Sequence, residues 1–164
     1  MKLDKFNNLV DLYFYQAEKQ ESKNDFLEWL NSNNRLKFSW GETSSSIYKL
    51  AIVIKENIKD GDRCLLVSEN RPEWLISDIA IMLANGITVP AYTTYTEKDY
   101  KYLIDDCEPA VVIVSNNIMH EKLKNIINNK KFIKKVIIFD EIKKEHYNNK
   151  YLNFNSIIKN IIYR

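Results

Sequence analysis

Apolar residues in the first third of the chain recur at spacings that predict a helix, a β-hairpin and a second helix. Helical spacing runs through Leu3–Lys19, which predicts an amphipathic helix. Asp25–Leu30 and Arg35–Trp40 are rich in aromatic and apolar residues and flank a polar Asn-Ser-Asn-Asn stretch, as expected for a hairpin. A single apolar stripe from Ile47 to Ile58 predicts an amphipathic second helix.

The rest of the chain alternates short apolar runs with helical patterns. The predicted strands are Cys64–Val67, Ile87–Pro90, Ala110–Val114 and Val136–Phe139, and the predicted helices are Pro72–Ala84, a segment opened by Thr96–Asp99, and Asn117–Asn128. Strands that alternate with helices predict an α/β fold, with a mostly parallel sheet and helices on both faces. The polar, lysine-rich segment 141–164 is expected to be a loosely ordered tail that ends in a weakly amphipathic helix beginning at Phe154.

A capping signal precedes the second helix. Ser39-Trp40-Gly41-Glu42 has the form of a capping box, in which the Ser hydroxyl accepts from the Glu amide and the Glu carboxylate accepts from the Ser amide. The box predicts that Ser39 caps a helix beginning near Trp40.

The stretch Ser-Glu-Asn-Arg-Pro-Glu-Trp, which ends at Trp74, predicts a sharp turn from a buried strand into a buried helix. Asn70 or Arg71 can cap this helix, and Pro72 suits its first turn, where the missing N–H of proline costs nothing. The helix is apolar on most sides, so Trp74 is expected to be buried. Gly86 is the expected C-terminal cap.

The composition is typical of one globular domain: 164 residues, 45% hydrophobic and 28% charged. A net charge of +2 is too small to indicate nucleic acid, and no nucleic-acid partner is expected. Cys64 and Cys107 lie in apolar surroundings and are expected to be buried free thiols in a reducing compartment. Polar and acidic residues interrupt the N-terminus, so no signal peptide is predicted. Polar residues also interrupt Trp74–Tyr92, which favours a buried helix and strand over a membrane span.

Motifs for phosphate or metal binding are not found in the sequence. Gly41, Gly61 and Gly86 stand alone, so neither G-x-G-x-x-G nor G-x-x-x-x-G-K-[ST] occurs, which argues against a Rossmann or Walker nucleotide site in this chain. His120 and His146 are separated by a predicted helix, strand and loop. They are interpreted as surface histidines, and no metal site is predicted.

Three polar segments remain as candidate sites. Asp105-Asp106 closes a predicted helix and is interpreted as a solvated helix end. The basic run Lys124–Lys135 is interpreted as a surface connection rather than a phosphate site. The Tyr92–Thr96 loop follows a strand, so it lies at the carboxyl edge of the sheet, where α/β proteins bind ligands. Its hydroxyls either line a site there, or Thr94 or Thr96 merely caps the next helix.

Two stretches in the first half of the chain resemble core motifs of the AMP-forming acyl- and aryl-CoA ligase superfamily. Phe38–Thr43 ("FSWGET") resembles the first motif, and Met82–Tyr92 ("MLANGITVPAY") resembles the second, a run that enters a strand ending in proline. Between them lies the strand, Asn-x-Pro-Glu-Trp turn and apolar helix typical of the superfamily. The similarity extends from about Leu9 to about Phe154 and is closest to the long-chain fatty acid–CoA ligases. The motif residues, all expected to be structural, are Ser39, Trp40, Gly41, Glu42, Asn70, Pro72, Trp74, Gly86 and Pro90.

This resemblance implies a reaction in which a fatty acid is joined to AMP with ATP and Mg²⁺, and AMP is then exchanged for coenzyme A. The Ser/Thr/Gly-rich loop with its Lys, the ribose-binding acid and the C-terminal Lys of such enzymes are not found in these residues. The chain is therefore expected to be a truncated N-terminal portion of the ligase domain, over residues 1–164. No catalytic residue is predicted in it, no cofactor is expected to bind it alone, and its expected partner is the C-terminal part of the enzyme.

The loop at the carboxyl edge of the sheet is the expected substrate-adjacent segment. Tyr92, Thr93 and Thr94 are expected to lie beside the substrate there. The expected location is the cytoplasm, with at most peripheral contact with the inner membrane surface.

Two other functions remain open at the level of sequence. One alternative is a stand-alone binding or interaction module of flavodoxin-like shape. The other is part of a ligase of the same superfamily that acts on another acid, such as an aryl, bile or medium-chain acid.

Overall fold

The structure is a computed structural model that describes residues 6–31, 34–141 and 149–160. A helix and a hairpin are followed by a region in which strands and helices alternate. The helices are α1 (Leu9–Glu18), α2 (Trp40–Lys55), α3 (Pro72–Leu83), α4 (Glu97–Cys107), α5 (Asn117–Asn128) and α6 (Phe154–Asn160). The strands are β1 (Asp25–Asn31), β2 (Asn34–Ser39), β3 (Arg63–Val67), β4 (Ile87–Ala91), β5 (Val111–Val114), β6 (Lys135–Ile138) and β7 (Tyr151–Asn153).

The main sheet has the order β4-β3-β5-β6-β7, and each neighbouring pair is parallel. The chain leaves β3 for β4 on one side, returns to β5 on the other side, and then continues outward. This is the strand order of flavodoxin-like folds, whose ligands bind outside the carboxyl ends of the strands. The antiparallel pair β1–β2 forms a separate hairpin. The predicted α/β fold, with a mostly parallel sheet, is confirmed.

Helices cover both faces of the sheet because the central strands are apolar on both sides. One face packs Cys64, Leu66 and Ile113 against α1, α2, α3 and α6. The opposite face packs Leu65 and Val112 against α4 and α5. Strand β4 lies at the edge, and its first residue is largely exposed.

The predicted helix at the N-terminus is longer than the observed one. Asn8 has an extended backbone and its side chain accepts from the Asp11 amide, so α1 begins at Leu9. Residues 3–5 of the predicted helix lie outside the described residues.

The segment expected to be a loose tail contributes two elements to the fold. Strand β7 extends the sheet by pairing with β6, and α6 buries Phe154 and Ile157. Helix α6 also contacts α2, where the Lys49 ammonium donates to the Ile158 carbonyl at 2.6 Å. The expected helix beginning at Phe154 is therefore confirmed, whereas residues 151–153 form a strand instead of loose chain; 142–148 and 161–164 lie outside the described residues.

The capping box at α2 is confirmed. The Ser39 hydroxyl accepts from the Glu42 amide at 3.1 Å, and the Glu42 carboxylate accepts from the Ser39 amide at 2.9 Å. Trp40 is the first residue of α2 rather than the last of β2. Gly41 lets the chain approach Ser22 closely, since its amide donates to the Ser22 carbonyl at 2.8 Å and an added Cβ would lie 3.0 Å from that oxygen.

Removing the Ser39 cap should lower the free energy of unfolding. We expect Ser39→Ala to cost about 1 kcal/mol, because the Glu42 amide loses its acceptor. Ser39→Asp should change stability little, since a carboxylate replaces the acceptor and suits a helix N-terminus. Urea melts of both variants test this, and equal losses would indicate a specific role for the hydroxyl.

Gly86 was expected to cap the C-terminus of α3, but a different residue adopts the left-handed conformation there. Asn85, not Gly86, has the positive φ of 63°. The Asn85 amide donates to the Met82 carbonyl and the Gly86 amide to the Ile81 carbonyl, as in a Schellman motif. Gly86 is needed for packing, because a Cβ there would lie 2.9 Å from the Ile58 side chain.

Candidate functional site

The carboxyl ends of β3 and β4 frame a cavity of about 450 Å³. It is lined by Ser68, Glu69, Asn70, Trp74, Pro90, Ala91, Tyr92 and Thr93. Ligands of parallel α/β sheets bind at this edge, so the cavity is the candidate site that the fold itself indicates.

The loop after β4 divides its residues between the cavity and the next helix. Tyr92 and Thr93 line the cavity, whereas Thr94 is exposed and does not line it. Thr96 caps α4 in a box with Asp99, whose amide donates to the Thr96 hydroxyl at 3.3 Å. Of the two residues considered as caps, Thr96 therefore has that role.

Two side chains hold the cavity loop from beneath. The buried Tyr100 hydroxyl donates to the Tyr92 carbonyl at 2.6 Å, and the Lys122 ammonium donates to the Thr93 carbonyl at 3.3 Å. Lys122 also lies 5.3 Å from the centroid of the Tyr100 ring. Burial raises the pKa of Tyr100 to about 12, so its hydroxyl stays protonated and remains a donor at neutral pH.

The turn after β3 is organised around Arg71, which links three parts of the chain. Its guanidinium donates to both carboxylate oxygens of Glu73 at 2.9 Å and to Asp140 at 3.0 Å. It also lies over the rings of Trp29 in β1, at 5.1 Å, and Phe139, at 5.4 Å. Burial by itself lowers the pKa of Arg71, but the two carboxylates raise it above the ordinary value, so the side chain stays cationic.

The turn corrects two expectations about individual residues. Arg71 occupies the N-cap position of α3 without a side-chain cap bond, while Pro72 takes the first helical position as predicted. Asn70 lines the cavity instead of capping the helix. Trp74, which was expected to be buried, is only partly buried, because it packs against the core and also lines the cavity.

His120 was expected at the surface, and that expectation is wrong. The ring is almost fully buried and packs edge-on against Tyr151, with the centroids 5.0 Å apart. Its position follows from helical spacing, because His120, Leu123 and Ile127 share the buried face of α5. His146 lies outside the described residues.

Each charged segment at the surface is as expected. Asp105 and Asp106 are exposed at the end of α4, and Asp105 forms ion pairs with Lys101 and Lys130, which lower the pKa of its carboxyl. Within the basic run, Lys124 pairs with Glu121. These contacts are typical of solvated surface pairs.

Both cysteines are free thiols, but they differ in exposure. Cys64 is fully buried in β3, and burial raises its pKa to about 12. Cys107 is half-buried at the end of α4, which corrects the expectation that both are buried; burial also raises its pKa.

Thiol labelling should separate the two cysteines. In the native chain we expect a thiolate-directed reagent to modify Cys107 slowly and Cys64 negligibly, because Cys64 is both buried and protonated. In denaturant both should react quickly. Peptide mass mapping of the labelled chain tests this, and rapid native labelling of Cys64 would show that β3 is accessible.

The cavity does not suit a nucleotide polyphosphate. Among its lining residues none is a lysine or arginine, and the one charged group, Glu69, is acidic. The two nearby cations, Arg71 and Lys122, are already engaged with Glu73, Asp140 and the cavity loop. A triphosphate needs backbone amides or cations to replace its water.

The described part of the chain contains no group of three or more His, Cys, Asp and Glu side chains suited to a metal ion. None of the described helices has the length and apolar character needed to cross a membrane.

A doubly wound sheet, in which an Asn-x-Pro-Glu-Trp turn joins β3 to α3, defines an α/β scaffold, and comparison with known proteins identifies its family. The family described as "AMP-binding enzyme" matches residues 14–156. The chain belongs to this family.

Individual relatives are much longer than this chain. It is 23% identical over 151 residues to acyl-coenzyme A synthetase ACSM3, mitochondrial, of Homo sapiens, a match that covers 88% of this chain and 26% of that protein. It is 25% identical over 139 residues to long-chain-fatty-acid–CoA ligase ACSBG1 of Rattus norvegicus, covering 85% of this chain and 17% of that protein. The chain thus spans about a quarter or less of these relatives.

Solved structures share the fold. The anthranilate CoA ligase AuaEII in complex with anthranoyl-AMP has a TM-score of 0.80 and 20% identity, over 97% of this chain and 30% of that one. A mutant coronafacic acid ligase from Pectobacterium brasiliense has a TM-score of 0.79 and 23% identity, over 92% of this chain and 29% of that one. The described fold is therefore that of the N-terminal region of adenylate-forming ligases.

Proposed function

We propose that this chain supplies the N-terminal sheet of an AMP-forming long-chain fatty acid–CoA ligase. The observation that carries the proposal is the family match over 14–156, with the two motifs and the intervening turn in their family order. The complete enzyme would use ATP, Mg²⁺ and coenzyme A to convert a fatty acid into its CoA thioester, with AMP and diphosphate as the other products.

Within that enzyme, the proposed contribution of these residues is scaffold rather than chemistry. Tyr92, Thr93 and Thr94 form the loop that we place beside the substrate, because the loop follows β4 at the carboxyl edge of the sheet, where α/β proteins bind ligands. The carbonyls of this loop are fixed from beneath by Tyr100 and Lys122. The nucleotide and the metal would be held by the C-terminal part of the enzyme, the partner of this chain.

The choice of a long-chain acid rests on the named relatives. ACSBG1 of Rattus norvegicus and FadD15 of Mycobacterium tuberculosis are named long-chain-fatty-acid–CoA ligases, and FadD15 is 32% identical over 80 residues. A second candidate is a ligase for a different carboxylic acid, favoured by the similarity to ACSM3 and to an anthranilate CoA ligase. We propose a cytoplasmic location, supported by two free thiols, with at most peripheral membrane contact.

The test uses the native protein, isolated from the cells that produce it. An antibody raised against residues 34–141 captures the native polypeptide, whose intact mass is measured. The captured protein is then assayed for AMP release with ATP, Mg²⁺, coenzyme A and one acid at a time: palmitate, octanoate or anthranilate.

The proposal predicts a polypeptide several times longer than 164 residues, with palmitate as the preferred acid. Preference for octanoate or anthranilate would support the second candidate. A native polypeptide of this length, with no acid-dependent AMP release, would contradict both.

A further inference from the structure

We propose that the cavity at the carboxyl ends of β3 and β4 binds an organic cation, a primary ammonium or a guanidinium group. This inference goes beyond the ligase proposal and does not depend on it. It rests on the walls of the cavity, on the charge of Glu69, and on how the neighbouring cations are already engaged.

Aromatic and apolar surfaces form one side of the cavity. The partly exposed indole of Trp74, the ring of Tyr92 and Pro90 all line it. Tyr92 is 72% exposed, while most other large apolar residues of the sheet region are buried. A cation placed over such rings is attracted by their π-electrons, and Trp is the most favourable ring for this contact.

The charge in the cavity is negative. Glu69 is the one charged residue among those that line it. In the described part of the chain, Glu69 forms no ion pair. Its carboxylate accepts a long hydrogen bond, 3.5 Å, from the side-chain amide of Asn116. The hydroxyls of Ser68 and Thr93 and the amide of Asn70 add further acceptors.

Two cations near the cavity, Arg71 and Lys122, are directed away from Glu69. Arg71 follows Glu69 by two residues, but its guanidinium is shared between Glu73 and Asp140 and lies over Trp29 and Phe139. Lys122 donates to the Thr93 carbonyl and lies over the Tyr100 ring, beneath the loop. A carboxylate that lines the same cavity as Trp74 and Tyr92 is thus left for a cation from outside the chain.

The test is a titration of the ¹⁵N-labelled chain, followed by the indole N–H of Trp74 and the amides of Glu69, Tyr92 and Thr93. The probes are Nα-acetyl-arginine amide and Nα-acetyl-lysine amide. The neutral isostere Nα-acetyl-citrulline amide and the anionic Nα-acetyl-glutamate amide serve as matched ligand controls. We expect saturable shifts at these positions with both cations, weaker at high salt because the attraction is screened.

Variants assign the binding to the named groups. Glu69→Gln should weaken binding of the cations by roughly two- to fivefold, because the charge is lost at an exposed residue whose shape is kept. Trp74→Phe should weaken it less, since a poorer π surface remains. Glu56→Gln, at an exposed carboxylate that lines the separate groove between α2 and α3, should leave binding unchanged.

Two further ligands, agmatine and an arginine inside an uncharged peptide, distinguish a small free amine from a side chain of another protein. Tighter binding of agmatine than of an arginine inside an uncharged peptide indicates a free amine, and the reverse indicates a side chain of another protein; both outcomes support the proposal. Equal binding of the citrulline and arginine probes, binding of the glutamate probe, no shifts with either cation, or unchanged binding in Glu69→Gln would each overturn it.

Discussion

Acid-dependent exchange of pyrophosphate into ATP is expected to stay at background when the 164-residue chain is assayed alone, whether the acid is palmitate, octanoate or anthranilate. The physical reason is the cost of removing the negatively charged triphosphate from water. A triphosphate is better solvated by water than by a protein surface without aligned amides and cations. The candidate cavity offers Glu69 in their place, and Arg71 and Lys122 are engaged elsewhere.

The same reasoning predicts the outcome of calorimetry. Titration of the folded chain with Mg-ATP at micromolar protein should show no heat beyond dilution. Circular dichroism and a cooperative urea melt establish that the chain is folded in the same buffer. Full-length ACSM3 of Homo sapiens, assayed in parallel, is the control for the exchange measurement. Clear exchange by the chain would require an adenylation site within these residues and would contradict our assignment of a scaffold role.

Elements whose signals are local could be predicted closely from the sequence. Helix α5 has the predicted bounds, Asn117–Asn128, and α2 begins at the predicted capping box. Strands β3 and β5 were recognisable because a strand buried on both faces has no polar alternation. In each case, the determining interactions lie within a few residues of the element itself.

Features that depend on distant neighbours could not be predicted in this way. Strand β7 has three residues in a polar segment, and it exists because β6 presents an edge with free backbone groups. The partial exposure of Trp74 depends on the cavity formed with the loop after β4, which helical periodicity does not report. The cavity joins residues 68–70 with Tyr92 and Thr93, and only the second segment was recognisable as a candidate site, from its place after a strand.

Arg71→Ala is expected to lower the free energy of unfolding by about 3 kcal/mol, the largest loss we predict for a single substitution. The Arg71 side chain is 12% exposed and its partner Glu73 is 14% exposed. Removing the guanidinium leaves the Glu73 carboxylate largely desolvated without its bidentate partner. It also removes the contacts with Trp29 and Phe139, which connect the hairpin to the carboxyl edge of the sheet.

Urea melts measure the loss, and Arg35→Ala is the matched control. Arg35 is 65% exposed and pairs with Glu28 across the hairpin, so its removal should cost less than about 1 kcal/mol. The double variant Arg71→Ala with Glu73→Ala should be less destabilised than the sum of the single changes, because no desolvated charge is left behind. If Arg71→Ala and Arg35→Ala cost the same small amount, the Arg71 guanidinium would be solvated like a surface residue. The Arg71 contacts with Glu73, Asp140 and Trp29 would then not be what holds the turn between β3 and α3.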